Sequence, residues 1–257
     1  MTTKPMRERL KALKKEFNLL RAGKDSLLVM LDEAEIPESV YNSNAIENST
    51  LTLKETEKIL LNQEVSRDVS VREVFEAKNL AQVLTFVRLK YREADLSQEL
   101  ILLLHKMLLN GINDQIAGRL RGPNEYVRVG THVAPAPEQV ERLVEQLLAD
   151  YAADAETYFA DQIAHFHLGF EHIHPFNDGN GRIGRVLINY QLAQNGFPPI
   201  IIRDKEKQLY YASFRENEGS PHRTKIMESV IALALCESLH KRIAYLTGAT
   251  IVPLVDY

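Results

Sequence analysis

The 257-residue sequence has a single cysteine, Cys236, and no tryptophan. One thiol excludes an internal disulfide and a multi-cysteine zinc site, and it suits a reducing compartment. The lack of tryptophan decides nothing. No apolar run is longer than Val230–Cys236, far short of the roughly 20 residues that cross a bilayer. The opening residues, MTTKPMRERLKALKKEF, hold no apolar stretch of the signal-peptide kind, so secretion and membrane insertion are disfavoured and a cytoplasmic location is expected. A basic excess is missing as well. Lys and Arg number 31 against 35 Asp and Glu, a formal net charge of -4, so nothing collects phosphate backbones broadly and any polyanion contact must be local. Internal repeats, low-complexity tracts and Pro/Gly/Ser-rich linkers are also absent.

What is present is an ordinary globular composition, 45% hydrophobic and 26% charged, at a length that allows one large domain or a core with one extension. Apolar residues recur at three- and four-residue spacing along most of the chain, which predicts helices. Thr52 with Glu55 and Ser70 with Glu73 have capping-box spacing. Ser97 opens an amphipathic run that stops at Asn110 and Gly111, and Pro137 opens another carrying Val140, Leu143, Val144, Leu147 and Leu148. Further helices are expected over about 156–173, from Arg182 to Asn195, and over 224–246. One hairpin is expected at Tyr126–Val133, where Gly130-Thr131 separates two β-branched runs as in a type II′ turn. Ile200–Ile202 reads as either a short extended segment or buried coil. The fold class is all-α, with a helical N-terminal region over 1–95 and a core over 96–257.

The chemistry concentrates at His174-Pro-Phe-Asn-Asp-Gly-Asn-Gly-Arg-Ile-Gly-Arg185, between two expected helices. His174 is a proton acceptor and Asp178 a hard-cation ligand. Gly179, Asn180 and Gly181 can bring backbone donors close to an anion at a helix N-terminus, and Arg182 and Arg185 add planar forks for phosphate oxygens. Together these describe a polyphosphate cradle beside a base and a metal-binding carboxylate. Rival readings exist. Gly179, Gly181 and Gly184 spell GxGxxG with Asp204 about 20 residues on, but that fingerprint must follow a strand, and EHIHPFND carries no β-branched run. A metal-dependent hydrolase could use His165, His167, His172 and His174, although residues two apart on a helix point about 200° apart, so a compact site needs a broken helix. A solvated turn anchored by Phe176 and Ile183 explains the Asn, Asp and Gly but not the His and both arginines.

At these residues the chain resembles the Fic family, whose motif HxFx(D/E)GNGRxxR is matched at every fixed position from His174 to Arg185. The resemblance covers about residues 97–245 and part of the N-terminal region. It implies a helical core with the motif in the loop between two central helices, a β-hairpin flap, and AMP transfer from ATP with Mg²⁺ to a hydroxyl of a target protein. His174 would be the base, Asp178 the Mg²⁺ ligand, Gly179, Asn180 and Gly181 the anion-binding turn, Arg182 the β-phosphate ligand and Arg185 the γ-phosphate ligand. Gly181 stands where the related Doc toxins, which phosphorylate, carry Lys. Val129, Gly130, Thr131 and His132 resemble the ATP-covering flap, whose edge would pair with an extended target segment, and Tyr210, Tyr211 and Asn217 lie where relatives contact adenine.

Ser43-Asn-Ala-Ile-Glu47-Asn48 matches the family's inhibitory pattern (S/T)xxxE(G/N). The resemblance implies that Glu47 pairs with Arg185 and takes the group that the γ-phosphate needs. Self-modification, removal of AMP and homodimerisation all occur among relatives. Many relatives also carry a winged-helix domain after the core. Only about ten residues follow the last expected helix here, so no DNA-binding module is expected. Phosphoryl or other nucleotide transfer through the same cradle, and a nucleotide-gated interaction protein without chemistry, stand as alternatives.

Overall fold

Side chains that close a first helical turn set several of the element starts. The computed structural model describes residues 1–65, 68–130, 132–219 and 224–249. Eleven α-helices run through them: α1 (Lys4–Leu20), α2 (Asp25–Ala34), α3 (Ile36–Ile46), α4 (Leu53–Glu57), α5 (Val71–Lys90), α6 (Gln98–Leu109), α7 (Val140–Ala153), α8 (Phe159–Ile173), α9 (Asn180–Gln194), α10 (Lys207–Gly219) and α11 (Lys225–Thr247). The expected capping box is present before α4, where Thr52 Oγ1 accepts from Glu55 N at 3.2 Å and Glu55 Oε2 accepts from Thr52 N at 2.9 Å. Ser70 and Ser97 accept in the same way from Glu73 N and Leu100 N. Such caps stabilise a helix by about 1 kcal/mol each.

Two boundaries differ from expectation. Residues 154–157 form an Asx-type turn, with Thr157 N donating to Asp154 Oδ1 at 3.0 Å, so α8 starts only at Phe159. Gly179, at φ 81°, caps α9, which therefore starts at Asn180 rather than Arg182. The sheet among the described residues is a hairpin of β1 (Arg128–Val129) and β2 (His132–Val133), with Arg128 opposite Val133 and Val129 opposite His132. That register makes Gly130-Thr131 the connection. Gly130 has φ 59°, as the first position of a primed turn requires, while Thr131 lies outside the described residues. Ile200–Ile202 is coil: Asn189 bonds both the N–H and the C=O of Ile200 through its side chain, standing in for a neighbouring strand.

Two apolar clusters meet at the α8–α9 pair. Leu10 and Phe17 of α1 pack with Ile163 and Ala164 of α8 and with Ile231, Leu235 and Leu239 of α11. Leu80 and Val83 of α5 and Leu104 and Leu108 of α6 pack with Phe170 of α8 and Ile183 and Leu187 of α9. Each fully buried side chain contributes about 1.5–3 kcal/mol, so the α8–α9 loop is held on a rigid base. Helix α3 lies beside this base and buries a polar run, Asn42, Ser43 and Asn44, toward the neighbouring helices. A buried polar face needs partners: Asn42 finds Glu38 O and Asp204 N, and Ser43 finds Arg185 of α9.

Candidate active site

Helix α8 stops where Pro175 removes the next N–H, and His174 takes the left-handed conformation at φ 49°. A β-carbon makes that conformation costly, so it must be held. His174 N donates to Phe170 O at 2.9 Å, and the buried guanidinium of Arg121 donates to His174 O at 2.7 Å, Ile173 O at 3.2 Å, Glu125 O at 2.9 Å and Pro135 O at 3.0 Å. The imidazole Nδ1 lies 3.4 Å from Glu171 O. A carbonyl only accepts, so Nδ1 carries the ring proton and Nε2 keeps its lone pair. Burial pushes His174 down to about 4, which leaves the ring neutral near pH 7, as a proton acceptor must be.

The rest of the loop is braced from inside. Asn180 closes it, accepting from Phe176 N at 2.9 Å and donating to Phe176 O at 2.8 Å. The Phe176 ring is wholly buried and stacks on His105 with centroids 3.7 Å apart. His105 Nδ1 accepts from Gly118 N at 3.0 Å, so its Nε2 donates to Asp178 O, also at 3.0 Å. Burial holds that ring neutral, down to about 4. Gly179 is required twice over, by its positive φ and because a β-carbon would come to 3.0 Å from Leu108.

Two arginines project from the first turns of α9. Arg182 bonds Asp178 Oδ1 at 3.0 Å and Glu76 of α5 at 3.1 Å, and Arg72 of α5 bonds both Asp178 and Glu76. Arg185 is taken up by α3. Its Nε donates to Ser43 Oγ at 2.9 Å, its Nη2 to Ser43 O and Glu47 Oε1 at 2.8 Å each, and its Nη1 to Tyr210 Oη at 3.3 Å. Ser43 O is open to this contact because Glu47 N bonds Asn44 O instead, tightening the last turn of α3. Asn48, at φ 68°, then ends the helix in the left-handed conformation, where Asn and Gly are the favoured residues. The Glu47 carboxylate sits against Gly181: a β-carbon there would lie 2.2 Å from Glu47 Oε1. An anion therefore already occupies the start of α9, where free N–H groups and the helix dipole favour negative charge.

The structure brings Ser43, Glu47, His174, Asp178, Gly181, Arg182 and Arg185 to one place. The flap stands beside it, with His132 Nε2 2.9 Å from His172 O and Val129 exposed. Asn48 points outward to Lys207 at 2.8 Å. Tyr210 does not lie at a base-stacking surface. Its ring is 1% exposed and its hydroxyl bonds His167 and Arg185, which leaves no face for adenine. Tyr211 is half-buried and donates to Ile46 O at 3.0 Å, capping α3, and Asn217 is half-buried on α10. The four histidines considered for a metal diverge: His165 meets Thr224 and Glu228, while His167 meets Tyr210. Among the described residues no three His, Cys, Asp or Glu side chains could jointly hold a metal ion. Asp178 alone still fits Mg²⁺, which is commonly held by one carboxylate with waters and substrate phosphates, and its two oxygens now meet cations that a divalent ion could replace.

Sequence reasoning missed Arg121, His105, Arg72, Glu76 and Glu171. The first four act across the fold, Glu171 acts three residues from His174, and none has a neighbouring sequence signal beyond being an isolated polar residue.

Residues 95–192 match the Fic/DOC family model. The chain is 33% identical over 221 residues to "Protein adenylyltransferase Fic" of Nematostella vectensis, covering 84% of this chain and 50% of that protein. It is 35% identical over 184 residues to "Protein adenylyltransferase fic-1" of Caenorhabditis elegans, covering 68% of this chain and 35% of that one. The chain thus spans half or less of the length of these relatives. Among solved structures, a Fic domain containing signaling protein from Bacteroides thetaiotaomicron superposes with a TM-score of 0.84 at 24% identity, covering 96% of this chain and all of that one, and it bears on the fold alone. Fic-1 (residues 134–508) from C. elegans gives a TM-score of 0.79 at 25% identity, covering 93% of this chain and 71% of that one.

Proposed function

We propose, from the premise that this chain belongs to the Fic/DOC family, that it is a protein adenylyltransferase held in an autoinhibited state. The observation that carries the reading is a neutral imidazole with its acceptor nitrogen free, fixed beside two arginines at a helix N-terminus. ATP is the co-substrate. The Gly179–Gly181 turn and Arg182 receive its β-phosphate, and Arg185 its γ-phosphate once Glu47 withdraws. His174 Nε2 takes the proton of a target hydroxyl, the freed oxygen bonds to the α-phosphorus, and the bond to the bridging oxygen breaks, releasing pyrophosphate. Asp178 would hold Mg²⁺, which when bound offsets the charge on the phosphate oxygens.

The target is a protein with an accessible Ser, Thr or Tyr, presented in extended form along the flap, whose first strand, Arg128–Val129, is exposed. The same geometry permits self-modification. A single buried cysteine and the absence, among the described residues, of any helix long and apolar enough to cross a membrane support work in the reducing cytoplasm.

Inhibition follows from two occupations by one side chain. Glu47 holds Arg185 and fills the space over Gly181, so ATP entering the site finds its γ-phosphate ligand taken. Keeping the competent arrangement near 1% requires about 2.7 kcal/mol, at about 1.4 per factor of ten. Incubating Glu47→Gly protein with ATP labelled at either the α- or the γ-phosphate tests the reading. Label from the α-phosphate on protein is expected. Label from the γ-phosphate would make the site a kinase, and neither label would leave a nucleotide-binding protein.

A further inference from the structure

Glu171 takes no part in the steps above, yet it stands between the proposed base and the core. It lies in the last turn of α8, with Oε2 3.8 Å from His174 Nδ1. Its Oε1 is buried without a hydrogen-bond partner, and one turn earlier His167 Nδ1 is buried without one too. Both atoms converge on Gly184 of α9: a β-carbon there would meet Glu171 Oε1 at 2.6 Å and His167 Nδ1 at 3.0 Å. The glycine therefore keeps open a space lined by two polar atoms.

Hydrogen-bond direction behind His167 is set by Arg185, which can only donate. Arg185 Nη1 donates to Tyr210 Oη at 3.3 Å, and the Tyr210 hydroxyl donates in turn to His167 Nε2 at 2.9 Å. Burial holds His167 neutral, down to about 3, so its ring proton is on Nδ1. The His167 Nδ1 proton is thus turned toward the Gly184 backbone, and the Glu171 Oε1 acceptor lies beside the same glycine at i, i+4, where one water could join the two side chains. On the far side of Glu171, His174 Nδ1–H meets the Glu171 carbonyl oxygen, and the carboxyl group stands 3.8 Å from the same nitrogen. Polar groups follow one another from Arg185 through Tyr210 and His167, which are hydrogen-bonded, to Glu171 and His174, which stand next in line, and the row begins at the guanidinium that Glu47 holds.

We propose that Glu171 is a positioning residue for His174, whose carboxylate fixes the imidazole and balances the positive charge the ring gains from the target's proton, and that Glu47 controls this carboxylate. The inference rests on His174 being the base. The proton moves from the hydroxyl to Nε2, the Nδ1 proton stays on the ring, and no bond forms to Glu171. The groups that face Glu171 are Glu47 from α3, Arg185 from α9, Tyr210 and Tyr211 from α10, and His167 and His174 at its own helix. With Glu47 in place, burial first and the Glu47 charge second push Glu171 up to about 8, so at pH 7 it is neutral and offers an imidazolium little. When Glu47 withdraws, one of these causes is lost and Glu171 ionises at lower pH. The inhibitory carboxylate thereby acts twice, on the phosphate ligand and on the partner of the base.

Glu171→Gln keeps the shape and removes the charge. In the Glu47→Gly background, kcat for AMP transfer is expected to rise with pH as Glu171 ionises and to exceed that of Glu47→Gly/Glu171→Gln by about tenfold or more on the plateau. The two should converge as pH falls below the step at which Glu171 ionises, with equal KM for ATP throughout. Nitrogen NMR of His174 needs no turnover. Its Nδ1 shift should show a step tracking Glu171, at lower pH in Glu47→Gly than in the wild type and absent in Glu171→Gln. Parallel pH profiles, or a His174 titration indifferent to both substitutions, would overturn the inference. Absence of AMP transfer by Glu47→Gly itself would instead sink the assignment of the base, while the NMR step would still test the contact.

Discussion

Arg182 and Arg185 stand one turn apart on α9, both nearly buried, and differ in what holds them. Arg182 is paired by Asp178, four residues earlier in its own loop, and by Glu76 of α5. Arg185 is paired by Ser43 and Glu47 of α3, about 140 residues away in the chain. Each arginine thus meets one carboxylate from far along the chain, Glu76 for Arg182 and Glu47 for Arg185, and Arg182 alone adds a partner from its own loop, itself a candidate metal ligand. The Arg185 set comes from the end of α3 and puts a carboxylate where the proposed function would place a phosphate. On the function proposed above, identical side chains on one helix are held for opposite ends, one ready and one withheld, and the difference is that Glu47 also fills the space over Gly181.

The sharpest way to break the comparison is Arg185→Ala in the Glu47→Gly background. With the inhibitory contact already gone, loss of the γ-phosphate ligand should cut AMP transfer by about a hundredfold or more, consistent with the loss of a charged transition-state contact. Activity that survives within a few fold would mean that Arg185 serves inhibition only.

Acid should come next in size. His105, His167 and His174 have pKa values pushed by burial from 6.5 down to about 4, 3 and 4. Folding therefore excludes protons that the unfolded chain binds below pH 6.5, so their contribution is present above that pH and is lost as pH falls toward 4. The loss is on the order of 2 kcal/mol for each fully buried ring. Glu171, raised to about 8, works the other way, losing stability as pH rises from 4.5 through 8. Urea midpoints should fall steeply between pH 6.5 and 4, and a flat profile would contradict the burial of these rings.

Ser43→Ala should have a smaller effect. It removes one acceptor of Arg185 and leaves Glu47, so about 1 kcal/mol of the restraint is lost and basal AMP transfer rises about fivefold. A rise as large as that of Glu47→Gly would shift the inhibitory weight from the carboxylate to the hydroxyl. The smallest effect belongs to the open side. Arg72 is 56% exposed and Asp178 32%, so the pair between them is weakly stabilising, and Arg72→Ala should change folding stability by less than about 0.5 kcal/mol. A larger change in a denaturation experiment would show that the Arg182 side is locked after all.

Much of this arrangement was legible in the sequence because its causes are local. The Thr52, Ser70 and Ser97 caps, the turn at Gly130, and the stop at Pro175 each depend on residues within a turn of one another. The approach of Glu47 to Arg185 was legible only through resemblance, since nothing in either segment alone says that they meet. The bracing of the loop was not legible. Arg121 gathers carbonyls from residues 125, 135, 173 and 174, and His105 reads a carbonyl 73 residues away. Tyr210 was legible only through resemblance too, as a residue lying where relatives contact adenine; its burial and its bonds to His167 and Arg185 depend on elements far along the chain.

The central claim is that Glu47 keeps a competent adenylyltransferase from using Arg185. Transfer of α-phosphate-labelled ATP to protein by wild type, Glu47→Gly and Glu47→Gly/His174→Ala tests it most directly. The account predicts labelling about a hundredfold above wild type for Glu47→Gly and background labelling when His174 is also lost. Equal labelling by wild type and Glu47→Gly, or labelling that persists without His174, would contradict it.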